Sequence, residues 1–140
     1  MRQILLFSAL AASLALLSGC ALSKAKADTA EDMSDKAAYQ KISAEEAYEM
    51  MASQEVVVVD VRTREEYDGG HIENAVLVPN ESIDSEMPEA LPDKEATLLV
   101  YCRSGRRSKD AAEKLLALGY QSVYDFGGVI DWPYELVKEG

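Results

Sequence analysis

Cys102 opens the run Cys102-Arg103-Ser104-Gly105-Arg106-Arg107-Ser108, in which a thiol is followed closely by three guanidinium groups, a glycine and two hydroxyls. The stretch Thr97-Leu98-Leu99-Val100-Tyr101 runs straight into Cys102 and reads as a buried strand. From Arg106 onward, Ala111, Ala112, Leu115, Leu116 and Leu118 keep helical spacing, with Gly119 as the stop. A strand, a tight loop and a helix in that order make an anion site. The loop N–H groups converge on one point, and the helix N-terminus adds its partial positive charge. A thiol placed there ionises more readily because its thiolate is the stabilised form, and Arg106 or Arg107 adds to the effect. Cys102 is therefore the expected nucleophile.

A lone Cys at a strand end is more commonly a buried structural thiol. The cations weigh against that here, since the helix dipole disfavours basic residues at a helix start unless an anion sits there. The whole loop, Arg103, Ser104, Gly105, Arg106, Arg107 and Ser108, is expected to form the substrate-binding surface. Arg103 and Arg107 are the expected helpers in binding an anionic substrate, with Arg106 pointing outward.

Several elements must hold this loop. Ser43 caps a short amphipathic helix whose apolar positions are Ala44, Ala47, Tyr48 and Met51. Val56-Val57-Val58-Val59 lacks alternation, as expected of a strand covered on both faces, and ends at Asp60. Arg64 to Tyr67 predicts one helical turn ended by Gly69-Gly70, and Ala75 to Val78 predicts a strand stopped by Pro79. Residues 81–94 predict a loop with at most a short helix, Ser122 to Tyr124 a strand, and the chain after Gly127-Gly128 a short terminal helix with Trp132 and Pro133. Alternating strands and helices argue for an α/β domain with a mostly parallel sheet.

The N-terminus has a different character. Met1-Arg2-Gln3, an apolar run from Ile4 to Leu17, and Ser18-Gly19-Cys20 give the pattern of an export signal, too short to span a membrane comfortably. The tetrad Leu17-Ser18-Gly19-Cys20 resembles the bacterial lipoprotein signal, which makes Cys20 the expected lipid attachment point. The expected organisation is a signal over 1–19, a flexible tether over 20–37 and one domain over 38–140. The expected place is the bacterial cell envelope, lipid-anchored and extracytoplasmic. A formal net charge of −11 disfavours nucleic-acid binding. With Cys20 lipidated, Cys102 has no disulfide partner within the chain.

From Val57 to the C-terminus the chain resembles the single-domain rhodanese (thiosulfate sulfurtransferase-like) family. The residues that carry the resemblance are Asp60-Val61-Arg62 with Glu66-Tyr67 and Gly70-His71-Ile72 leading to Ala75; Tyr101 to Gly105; Arg107-Ser108 with Ala111-Ala112; and Gly127-Gly128 with Trp132. The resemblance implies a central, mostly parallel five-stranded sheet flanked by helices. It also implies a relay in which Cys102 takes sulfane sulfur from a donor anion such as thiosulfate and passes it to a thiol or cyanide. No metal or organic cofactor is implied, and a monomer is expected. His71 invites a Cys-His reading, but its Gly-His-Ile turn resembles a structural signature of the family. Asp60 and Arg62 look like supporting residues, Asp60 the nearer to the site, while Tyr67 and Trp132 read as core packing.

Two other readings compete. A Cys-dependent phosphatase or arsenate reductase also uses a strand-loop-helix cradle, but resembles Cys, five residues, then Arg; here that place is held by Ser108. A rhodanese-type module can also bind protein, or carry persulfide without turnover.

Overall fold

The structure, a computed structural model, describes residues 39–139. The export signal, Cys20 and the tether lie outside the described residues. Five strands, β1 (Gln40–Lys41), β2 (Val57–Asp60), β3 (Val76–Leu77), β4 (Thr97–Cys102) and β5 (Ser122–Gly128), form one sheet in the order β1-β5-β4-β2-β3. Every pairing is parallel. Helices α1 (Ala44–Ser53), α2 (Arg64–Asp68) and α3 (Arg106–Ala117) flank it, as α/β packing requires when both faces of a parallel sheet must be covered.

Strand alternation sorts the core into two layers. Leu98, Val100 and Cys102 of β4 join Val59, Val123, Ala111, Ala112 and Leu115 on the face covered by α3. Leu99 and Tyr101 join Val58, Ala47, Tyr67 and Phe126 on the opposite face. Cys102 thus continues the α3 face of its strand and ends beneath the first turn of that helix. Leu115 is fully buried; trimming it to alanine costs about 2–5 kcal/mol.

The two short helices begin on reciprocal capping boxes, Ser43 with Glu46 and Thr63 with Glu66. In each, the cap hydroxyl and the glutamate satisfy two backbone donors that a helix start leaves unpaired. β5 runs to Gly128, longer than its expected end at Tyr124, and carries a bulge opposite Val100 to Cys102. The expected terminal helix is a single 3-10 turn, Val129–Asp131. Pro133 lacks an N–H and biases Trp132 toward extended backbone, observed at φ −78°, ψ 114°. The chain then returns to bridge Val137 with His71 in antiparallel fashion.

Candidate active site

The loop from Cys102 to α3 is shaped by two glycines. Gly105, the N-cap, sits at φ +97°, and Gly128 of β5 passes so close that a Cβ there would overlap the Arg103 carbonyl. The Arg103 carbonyl in turn accepts from the Ile130 amide at 3.2 Å. α3 has no side-chain cap. Instead the amide of the N-cap residue itself, Gly105, donates to the Cys102 Sγ at 3.0 Å, which seats the sulfur at the start of α3. Cys102 is a free thiol, fully buried. Burial pushes the thiol up, but the Ser108 amide and hydroxyl and the amides of Gly105 and Ser104, each counted as donating to the sulfur, outweigh it, and the balance lies below the ordinary value.

The remaining loop residues divide by exposure. Arg103, Ser104 and Arg106 are exposed, and Gly105 is half-buried. Arg107 closes a two-point ion pair on Glu66, with Nη1–Oε2 and Nη2–Oε1 both 2.8 Å. One N–H of each terminal nitrogen is thereby engaged, and the guanidinium braces the loop against α2. Ser108 lies beneath the loop, 0% exposed, with its Oγ 3.7 Å from Sγ and 2.7 Å from Asp125 Oδ1. Asn80, Arg106, Arg107 and Asp110 line a cleft of about 310 Å³ beside the loop.

Asp60 and Arg62 form a buried pair that supports the site from the opposite sheet face. Arg62 Nη2 donates to Asp60 Oδ2 at 2.6 Å and to the Gly70 carbonyl at 2.8 Å. The Tyr101 hydroxyl donates to Asp60 Oδ2 at 2.5 Å, which fixes the residue next to Cys102. His71 stacks on Tyr67 with centroids 3.7 Å apart, its Nδ1 2.9 Å from the Tyr67 carbonyl oxygen. Its hydrogen-bond partner is backbone within its own turn, not Cys102. Trp132 packs among Tyr48, Phe126 and Tyr134.

Two participants depend on contacts that the sequence does not display. Glu66 was legible only as part of a motif, without its partner Arg107. Asp125 is 1% exposed and accepts from Ser108, from the Gly127 amide at 2.9 Å and from the Tyr39 hydroxyl at 2.7 Å. Its signal was its parity: Val123 and Asp125 share a strand face, and Val123 faces the core under α3.

A parallel sheet covered by helices, with a buried cysteine at the carboxyl end of a central strand and at the start of the next helix, defines an α/β domain with a cysteine-centred loop. The chain belongs to the family described as Rhodanese-like domain, whose profile matches residues 43–133. It is similar to the tRNA uridine(34) hydroxylase of Hamiltonella defensa, 34% identical over 76% of this chain and 32% of that protein. The chain thus spans about a third of the length of that relative. Among solved structures it is similar to a rhodanese-related protein from Thermoplasma volcanium, 30% identical with a TM-score of 0.63 over 72% of this chain and all of that one. It is also similar to a human single-domain sulfurtransferase, 27% identical with a TM-score of 0.59 over 66% and 93% of the two chains.

Proposed function

We propose that the protein is a sulfurtransferase working through a persulfide on Cys102. The observation that carries this reading is the sulfur seated at the start of α3, where the Gly105 amide reaches it at 3.0 Å. In the first step the Cys102 thiolate attacks the outer sulfur of thiosulfate. The S–S bond of the donor breaks, sulfite leaves with the bonding pair, and the Cys102 persulfide anion remains. In the second step cyanide or a thiolate takes the outer sulfur and returns the thiolate. The converging amides suit each anion along this path, while the exposed Arg103 and Arg106 supply positive charge for the donor on an acidic chain. The commitment of Arg107 to Glu66 weighs against a phosphatase, which needs that guanidinium on its phosphoryl oxygens. The human relative's description as a sulfurtransferase agrees. Wild type should form thiocyanate from thiosulfate and cyanide, and Cys102→Ser should not; equal, low rates in both would overturn the reading.

A second reading comes from the curated relatives' name: the domain would be the rhodanese-like part of a system acting on tRNA uridine. The net charge of −11 opposes RNA contact by this chain alone. A salt-dependent shift of tRNA on a native gel with the purified chain would favour it.

We also propose export and lipid attachment at Cys20, supported by the sequence pattern of residues 1–20. The intact mass of the protein from membranes should show an acylated Cys20 at the N-terminus; an unprocessed Met1 would refute it.

A further inference from the structure

A buried carboxylate lies beneath the reactive sulfur. Asp125 accepts hydrogen bonds from the Gly127 amide and the Ser108 hydroxyl at Oδ1 and from the Tyr39 hydroxyl at Oδ2. No arginine or lysine pairs with it among the described residues. Ser108 stands between Asp125 and Cys102, and its hydroxyl carries a single hydrogen. That hydrogen has three acceptors in reach: Asp125 Oδ1 at 2.7 Å, the Gly105 carbonyl at 3.1 Å and the Gly127 carbonyl at 3.2 Å. The carboxylate is both the nearest and the strongest acceptor, so the hydrogen lies there. The Ser108 hydroxyl would lower the thiol only by donating to Sγ; with its one hydrogen on the carboxylate it instead turns a lone pair toward Sγ at 3.7 Å, in position to accept from a neutral Cys102 thiol.

We propose that Asp125 is a positioning residue for Cys102, acting through Ser108 to favour the protonated thiol and so to oppose the loop amides. The inference rests on Cys102 being the reacting atom. Its effect is a balance: amides of the loop pull the sulfur toward thiolate from above, and the Asp125-Ser108 pair restrains it from below. A free cysteine kept partly as thiol is less exposed to oxidation between turnovers, because the thiolate is the reactive form. The other charged groups around the pair are Arg107 on α3, held by Glu66 and near Glu81, and, beside Tyr39, Lys109 and Glu113 of α3. The substitutions below leave all of them in place.

The test is a pH titration of the Cys102 thiolate by ultraviolet absorbance in the full chain, with Cys102→Ser as the blank. It needs no turnover, so its failure is distinct from a failure of sulfur transfer. Asp125→Asn removes the charge and leaves an amide carbonyl no stronger than its two backbone competitors, freeing the Ser108 hydrogen for sulfur. The ionisation constant of Cys102 should rise about tenfold, a midpoint about one pH unit lower. Ser108→Ala alone should also lower the midpoint, because it removes the lone pair that holds the thiol proton. Adding Asp125→Asn to Ser108→Ala should then shift it little further. A higher midpoint in Ser108→Ala would show that the hydroxyl donates to the thiolate and would overturn the proposal, a result available even if Asp125→Asn does not fold. An unchanged midpoint in a folded Asp125→Asn, or a full shift persisting in the double variant, would also overturn it.

Discussion

Glu66 and Arg107 meet as two planar groups joined by two bonds of 2.8 Å, although 41 positions separate them in the chain. One carboxylate serves two structures at once. It completes the capping box that starts α2 with Thr63, and it holds a guanidinium in the first turn of α3. A cation there is disfavoured by the helix dipole, so Glu66 supplies the negative charge that makes Arg107 tolerable beside the Cys102 loop.

This arrangement predicts a pH signature. Arg107 foremost, with help from the Thr63 amide and against the effect of burial, holds the Glu66 carboxyl down from its ordinary 4.5 to about 2. The folded value is the lower one, so the stabilisation is complete above the ordinary value and is lost as pH falls toward about 2. Glu66→Gln keeps a capping side chain and loses the ion pair. It should cost about 1 kcal/mol at neutral pH, and the gap to wild type should close on acidification. Urea denaturation across that range reads it; a gap of constant size would contradict the account.

Gly128→Ala should separate loop position from fold. The added methyl would overlap the Arg103 carbonyl while lying at the end of β5. The loop must move, and a displacement of about 1 Å at a reacting centre costs about 100-fold in rate. Thiocyanate formation should fall on that order with the far-ultraviolet circular dichroism unchanged. Full activity would mean that the close approach does not set the site.

On the other face of the sheet, Asp60 accepts from the Arg62 backbone and guanidinium and from Tyr101. Asp60→Ala would strand a buried Arg62 and should destabilise by about 3–5 kcal/mol. Tyr101→Phe removes one donor to Asp60 and the acceptor of the Ile72 amide, and should cost about 1–3 kcal/mol by leaving that buried N–H unpaired. Chemical denaturation orders the two; equal, negligible costs would refute a structural role for the network.

Much of this was legible because the signals are local. The run from Leu98 to Cys102, the glycine in the loop and the spacing of Ala111, Ala112 and Leu115 mark strand, turn and helix without reference to anything distant. Ser43 with Glu46 announces its helix in the same way. What stayed hidden depends on contacts across the fold. β1 is two exposed polar residues whose only strand credential is backbone pairing with Tyr124 and Asp125. Arg107 carries no local sign of the Glu66 fork that holds it. Asp125 lies just past the expected end of its strand, which hides its parity with Val123. Ser108 reads as a loop hydroxyl open to substrate, whereas α3 turns it inward.

The central claim is that sulfur resides covalently on Cys102 during the reaction. The most direct test is the intact mass of the protein after thiosulfate alone, followed by cyanide. Wild type should gain the mass of one sulfur atom, mapped to the Cys102 peptide, and lose it when cyanide is added, while Cys102→Ser gains nothing. Thiocyanate formation without any adduct on Cys102, or an adduct that persists in Cys102→Ser, would contradict it.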